Sequence, residues 1–229
     1  MTRGLGKIAT CLLATLALAS CASVSVEEST DSVRRKMPEM VYVKTFTTAH
    51  SDFEVDRTGR ELSDFKKNLQ LMLKTATVAD VTDRLLPAVA ETNADHFRSQ
   101  NAWLVCGRFK TVKQGSRLLR SAIGFGAGGT KVETYVEVYD LAEDPGTPFL
   151  TFDTSGGSNA EPGAILAFTT DPVQLAIGGV SGAAHGLSED TKRTAHEITA
   201  ELSDYMHTRG WISDGQWIKP KRPRDTDTW

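Results

Sequence analysis

Residues 130–141, TKVETYVEVYDL, alternate between two kinds of side chain. Val132, Thr134, Val136 and Val138 fall on one side of an extended chain, and charged or tyrosine side chains fall on the other. Successive side chains of a β-strand point to opposite faces, so this period of two predicts a strand with one face on a core. Its other face meets water or a partner, and the sheet around this strand decides the fold.

Further strand patterns lie on both sides of this stretch. Residues 41–46 and 102–109 are rich in β-branched and aromatic side chains, which favour strands. The triplet Asp-Pro-Gly at residues 144–146 predicts a turn, and residues 149–152 then run back as the hairpin partner. The central strand therefore has neighbours before and after it in the chain.

Helical patterns occupy two other regions. Apolar residues recur every three or four positions over residues 61–76, which predicts an amphipathic helix. A second helical run over residues 78–89 should end or kink at Pro87. The last helix is predicted to begin near Ser188 and to close at Gly210 in a left-handed cap. Its predicted buried stripe is Ala195, Ile198, Leu202, Tyr205 and Met206.

These elements contain a hairpin and no repeated βαβ units. They predict one α+β domain over residues 40–212, with a small antiparallel or mixed sheet and helices packed on one face. The order of the sheet near residues 78–89 stays open. Residues 213–229 are polar and basic and are predicted to form a disordered tail.

The N-terminus carries the features of an export signal. Arg3 and Lys7 provide a positive start, and residues 8–18 form an uncharged apolar run. That run is shorter than the about 20 residues that span a bilayer. It therefore predicts a signal peptide over residues 1–20, ahead of the folded domain.

The signal ends in a lipidation motif. Residues 18–21 read LASC and resemble the lipobox of bacterial lipoproteins. The resemblance implies cleavage between Ser20 and Cys21 and attachment of lipid, including palmitate, to the Cys21 thiol. Ala22 after the cysteine implies sorting to the outer membrane, with the domain facing the periplasm. Residues 21–39 are predicted to be a flexible tether with a reach of roughly 20–25 Å, and the basic triplet 34–36 a solvated part of it.

Charge and cysteine content exclude some classes of function. Arg3 and Lys7 leave with the signal, so 26 basic residues become 24 against 29 acidic ones, a net charge of −5. Nucleic-acid binding normally needs a basic surface, so it is not expected. Cys11 leaves with the signal and Cys21 takes lipid, which leaves Cys106 without a disulfide partner. Its strand context predicts a buried, unreactive thiol.

A glycine- and arginine-rich stretch precedes the central strand. Residues 115–128 read GSRLLRSAIGFGAG and lead into the long strand that ends Val138-Tyr139-Asp140. With the lipobox and the closing helix, this stretch resembles the bacterial lipoprotein family called domain of unknown function 4410. The resemblance covers roughly residues 40–212 and implies an envelope lipoprotein with no established activity.

The glycines of this stretch do not predict nucleotide binding, because a strand rather than a helix follows them. They predict a bulged or tightly turned entry to the sheet. Arg117 and Arg120 are candidate partner-binding residues for an anionic group. The alternative, which we prefer, is a structural role in which they satisfy acids or backbone carbonyls of the turn.

Residues 163–186 contain a single charged residue, Asp171. Three interpretations stay open from composition: a mobile loop, a helical lid on the core, or a contact with the membrane or another subunit. Asp171-Pro172 interrupts the run, so neither half is long enough to span a bilayer.

No catalytic or metal-binding motif is complete. His196-Glu197 begins like a zinc-protease motif, but Ala200 stands where the second ligand would be. No cofactor, no metal and no catalytic residue are predicted. The leading hypothesis is a non-enzymatic, lipid-anchored periplasmic module that binds an envelope protein or polymer. The alternative is an envelope enzyme, such as a hydrolase, with a site assembled from distant residues.

Overall fold

The computed structural model describes residues 22–29, 35–91, 101–114, 130–158 and 182–222. Within them lie seven strands and two helices. In chain order these are β1 (Ala22–Ser29), β2 (Met40–Val43), β3 (Asp52–Glu54), α1 (Gly59–Arg84), β4 (Ala88–Ala90), β5 (Ala102–Lys113), β6 (Thr130–Asp140), β7 (Asp144–Ser158) and α2 (Gly182–Thr208).

The strands form one mixed sheet in the order β1-β7-β6-β5-β2-β4. Strands β1, β7, β6 and β5 pair antiparallel in succession, whereas β2 runs parallel to both β5 and β4. Strand β3 pairs in parallel with the last three residues of β5, beyond the part of β5 that pairs with β2. The predicted α+β class with a mixed sheet is confirmed.

Both helices pack on the same face of the sheet. Leu69 of α1 and Ile198 of α2 belong to one core cluster with Val136 of β6, and all three are almost fully buried. The side chains of β6 alternate without interruption between buried and half-buried positions from Thr130 to Asp140. The predicted two-faced strand is therefore confirmed, and its inward face meets the helices.

Helix α1 is longer than the sequence predicts. It continues without a break from Gly59 to Arg84, so the two predicted helical runs are one helix. The backbone N–H groups of Leu85 and Leu86 both donate to the Val81 carbonyl and close its last turn. Pro87 follows, and β4 then pairs with β2. The helical interpretation of Val89 is wrong because this residue lies in β4.

Helix α2 begins earlier than predicted. It starts at Gly182, and Ser188 is a buried residue inside it rather than its N-cap. Its end agrees with the prediction: Gly210 has a positive φ of 68°, and the Trp211 N–H donates to the Met206 carbonyl. That geometry is a left-handed C-terminal cap, for which glycine carries no Cβ penalty.

The predicted flexible tether is wrong for residues 22–29, which form strand β1 on the edge of β7. Edge pairing uses main-chain groups and needs no apolar segment. The alternation of serine and valine over residues 23–26 was the available signal. The solvated-linker interpretation also fails at Arg35, which is only 7% exposed and lies 3.7 Å from the Asp140 carboxylate.

The predicted disordered tail is wrong for residues 213–222, which pack along α2. The Trp217 ring stacks on His207 with centroids 4.5 Å apart, and the Ile218 N–H donates to the Ser203 hydroxyl at 2.9 Å. The Arg222 guanidinium reaches the Glu201 carboxylate. We call residues 213–222 the C-terminal strap. In the described part of the chain, no helix is long and apolar enough to cross a membrane.

Candidate functional site

The sheet surface that faces away from the helices is the best candidate for a functional site. We call it the helix-free face. It is formed by Lys131, Glu133, Tyr135, Glu137 and Tyr139 of β6 with their cross-strand neighbours in β5 and β7. All five β6 side chains are half-buried, so they are held by their neighbours and still reachable. The hairpin that sets this register turns at residues 141–143, where the Asp140 carboxylate accepts the Ala142 and Glu143 N–H groups.

Ion pairs within and between strands lie across one end of this face. Lys113 of β5 lies 2.6 Å from the Glu54 carboxylate of β3, and Lys110 pairs with Asp153 of β7. Lys131 and Glu133 of β6 pair at 2.6 Å. Each of these lysines thus has an acid beside it. Among the described residues, this end of the face presents charges of both signs in fixed positions, with each lysine matched by an acid.

The ion-pair network lowers the pKa of Glu133. Burial alone raises that pKa, but hydrogen bonds with Lys131 and Thr111 and the positive charges of Lys131 and Lys110 outweigh the burial. The net shift is downward, so the carboxylate stays ionised in mildly acidic solution. An ionised Glu133 keeps the network intact there.

Aromatic rings lie among the charges. The Arg108 guanidinium stands 4.2 Å from the centre of the Tyr135 ring, a cation–π geometry. Tyr139 lies beside Glu137, and burial together with the negative charge of Glu137 raises its pKa to about 12. The phenol is therefore protonated at neutral pH and serves as a hydrogen-bond donor. Arginine and tyrosine side chains of this kind are enriched at protein interfaces.

Cys106 is on this face rather than in the core. Its residue is half-buried in β5, opposite Glu137 in the register. Burial, followed by the negative charge of Glu137, raises the pKa of the thiol to about 11. The sequence prediction of an unreactive thiol agrees with this environment, although the residue is less buried than predicted. A thiolate nucleophile is not formed here at neutral pH.

A second polar cluster lies on the opposite, helix-covered face. The Arg35 guanidinium lies 4.7 Å from the centre of the Phe149 ring, beside Asp140. Trp103 and Tyr205 pack on the same Phe149 ring, with centroids 5.0 Å from it. These contacts attach the segment before β2 to the sheet and to α2. Because the cluster is buried, we assign it a role in stabilising the fold rather than in binding or catalysis.

His196, which begins the incomplete zinc-protease motif, makes a contact between the two helices. His196 Nδ1 lies 3.2 Å from an oxygen of Asp80, which joins α2 to α1. Hydrogen bonds from His196, Thr199 and Arg84 lower the pKa of Asp80 even though burial raises it. Among the residues that the structure describes, no three His, Cys, Asp or Glu side chains form a group that could hold a metal ion.

Four sequence-predicted site residues, Ser20, Cys21, Arg117 and Arg120, lie outside the described residues, as do residues 163–181. The outward side of β6 was identified from its period of two. Its partners were missed. Counting one for one from the Asp140–Asp144 pair would place Phe149 opposite Tyr135, but register shifts next to the turn put Asp153 there instead. No local pattern places Glu54 beside Lys113 either, because β3 has only three residues.

The fold defines this chain as an α+β protein with a mixed sheet that is covered by helices on one face. It belongs to the family described as Domain of unknown function (DUF4410), whose model matches residues 41–179. No curated protein matches the chain. Among solved structures, the chain is similar to the PelC dodecamer from Paraburkholderia phytofirmans. That similarity has 11% identity and a TM-score of 0.36, and it covers 76% of this chain and 99% of that one. A variant of the same dodecamer gives 11% identity and a TM-score of 0.35, with the same coverage.

Proposed function

We propose that this chain is a non-enzymatic lipoprotein of the bacterial cell envelope that binds a protein partner through the helix-free face. Cleavage after Ser20 and lipid on Cys21 would hold it at the outer membrane with the domain in the periplasm. The observation that carries the proposal is the arrangement of paired charges and half-buried rings on the helix-free face.

The distribution of charge favours a protein over the other envelope partners. An anionic polymer or an anionic membrane surface is attracted by a surplus of positive charge. Among the described residues of this face, Lys110, Lys113 and Lys131 are each paired with an acid, so these lysines contribute no positive surplus. A protein surface with both signs of charge can complement this arrangement, and the fixed positions would select its register.

The non-enzymatic part of the proposal is supported by the state of the most nucleophilic side chain on this face. The raised pKa of Cys106 keeps its thiol protonated and weakly reactive at neutral pH. The nearby Tyr139 is likewise protonated. Neither group is prepared to act as a base or a nucleophile, whereas both can donate hydrogen bonds to a bound partner.

A site-specific photo-cross-linker tests the binding face in living cells. We expect a cross-linker in place of Tyr135 to give one discrete protein adduct. The same group in place of Leu71, an α1 residue that is 49% exposed, should give none. Lys110→Glu should remove the Tyr135 adduct, because it reverses one charge of the face and places two acids side by side at Asp153. The repulsion should lower the melting temperature only slightly, since Lys110 is exposed. Equal adducts from both positions, or none from Tyr135, would contradict this function.

The anchor is tested by metabolic labelling with radioactive palmitate. The wild-type chain should incorporate label, and Cys21→Ser should not, because a hydroxyl does not replace the thiol that accepts lipid. The Cys106→Ser variant, which keeps the lipobox, is the matched control and should label normally. Equal incorporation in the Cys21→Ser variant and the wild type would refute lipidation at this position.

A further inference from the structure

Strand β1 fixes where the predicted lipid would join the domain. It runs antiparallel to β7, with Ala22 opposite Gly156 and Ser29 opposite Leu150. Ala22 is the residue directly after Cys21, so no residue separates the predicted lipid site from the sheet. A flexible tether over residues 21–39 would have let the domain move roughly 20–25 Å from the bilayer. Strand β1 removes that freedom.

The register also shows which end of the sheet receives the anchor. Gly156 lies opposite Val132 of β6. The next residue of β6, Lys131, lies opposite Lys113 of β5 in the strand register. We call the part of the sheet around Gly156, Lys131 and Lys113 the Cys21 end. The hairpin turn at residues 141–143 is at the other end. Strand β6 crosses between them, a distance of about 30 Å at about 3.3 Å per residue.

Two further segments join the domain at the Cys21 end. The chain leaves β5 near Gln114 and returns at Thr130, and it leaves β7 at Ser158 and returns at Gly182. The Thr130 hydroxyl donates to the Asp190 carboxylate at 2.6 Å, which places the first turns of α2 at this end as well. The connecting residues 159–181 include the apolar run of residues 163–180, whose single charge is Asp171. The least polar sequence of the mature chain is thus attached beside the predicted anchor.

We infer that the Cys21 end of the sheet is the surface that faces the lipid bilayer, and that the turn at residues 141–143 faces away from it. This inference rests on the proposed lipidation of Cys21. In this orientation the strands run perpendicular to the membrane surface, with one end of the sheet on it. The helix-free face is then parallel to the membrane normal and open to a partner in the periplasm. The contact does not depend on charge, because Lys113 and Lys131 are already paired with Glu54 and Glu133. It therefore persists at high salt.

Distance-dependent quenching in reconstituted membranes tests the orientation. The full lipidated chain, carrying Cys106→Ser, is given one new cysteine, Lys131→Cys or Glu143→Cys, and is labelled with a fluorophore. It is placed in phosphatidylethanolamine–phosphatidylglycerol vesicles that contain a headgroup nitroxide quencher. We expect strong quenching at position 131 and little at position 143, unchanged between low and high salt.

Two controls separate the possible failures. Ser25→Pro with Val26→Pro breaks the pairing of β1, because proline has no N–H to donate and consecutive positions include one that faces β7. It should free the domain and make quenching at the two positions alike. Mass spectrometry of the Cys21 peptide reports lipidation independently. Absence of lipid there would overturn the proposed function and the orientation with it. Lipid present, with equal quenching or stronger quenching at position 143, would overturn the orientation alone.

Discussion

Cys106, the one cysteine among the described residues, has a strongly perturbed thiol. Its pKa is raised to about 11, first by burial and then by Glu137, while Lys44 opposes the shift. We expect a soluble fragment starting at Ala22 to react slowly with iodoacetamide at pH 8, with a rate that rises with pH up to about 11. Glu137→Gln should move this profile to lower pH, because it removes one negative charge beside the thiolate.

The control for this experiment is Glu143→Gln, which removes the same charge at the hairpin turn. It should leave the pH profile of alkylation in place. Fast alkylation of the wild-type fragment at pH 8 would mean that Cys106 is an activated thiol that is able to act as a nucleophile.

Single residues also show where sequence reasoning stops. The strand position of Cys106 followed from its apolar neighbours, which are local. The burial of Arg35 did not, because it depends on Asp140 and Phe149, more than a hundred positions away in the chain. A basic triplet in a polar stretch is usually solvated. Only the folded sheet brings the Asp140 carboxylate and the Phe149 ring to the buried Arg35 side chain.

At the scale of elements, helix α1 provides a matched pair of leucines. Leu69 is 1% exposed and Leu71 is 49% exposed, two positions apart on one helix. Leu69→Ala should lower the free energy of unfolding by about 2–4 kcal/mol, since it deletes buried methyl groups and leaves a cavity. Leu71→Ala should change it by less than about 0.5 kcal/mol, as is usual for surface positions. Urea melts of the soluble fragment measure both, and equal midpoints would mean that the burial of α1 is assigned to the wrong side.

The helices and strands differ in how well the sequence pattern predicts them. Strand β6 and helix α1 are long and strongly periodic, so their type and inward faces followed from the pattern alone. Strands β3 and β4 have three residues each, too few for a period to be visible. Each is defined by its main-chain pairing with β5 or β2 instead. The same holds for β1, whose polar sequence hid an edge strand.

At the scale of the whole molecule, both ends of the described chain complete the fold. Strand β1 extends the sheet beyond β7, and the C-terminal strap covers the side of α2 that α1 and the sheet leave open. The strap explains why Glu197 and Glu201 of α2 are nearly fully buried although the predicted stripe is apolar. A helix covered on several sides buries polar residues, and these then need partners. The sequence of α2 cannot show which distant segment provides them.

The pair of Glu201 and Arg222 tests whether the strap stabilises the domain. Burial raises the pKa of Glu201 despite the hydrogen bond and the charge from Arg222. Arg222→Ala removes the positive charge that offsets the burial of the Glu201 carboxylate, and it should lower the free energy of unfolding by about 1–3 kcal/mol. This loss is smaller than for a fully buried ion pair, because Arg222 is partly exposed to solvent. Glu201→Gln added to Arg222→Ala should restore part of that loss, since it removes the buried charge.

The pH dependence has a definite sign. Because the folded-state pKa of Glu201 is raised, the folded protein takes up a proton at a higher pH than the unfolded chain does. The stability lost in Arg222→Ala should therefore be partly recovered as the pH falls from neutrality toward the usual pKa of glutamate, near 4.3. Urea melts at neutral and mildly acidic pH measure this, with Lys219→Ala, an exposed position in the strap, as the control for loss of one positive charge. If Arg222→Ala and Lys219→Ala had equal and small effects at every pH, the strap would be a surface segment that the fold does not need.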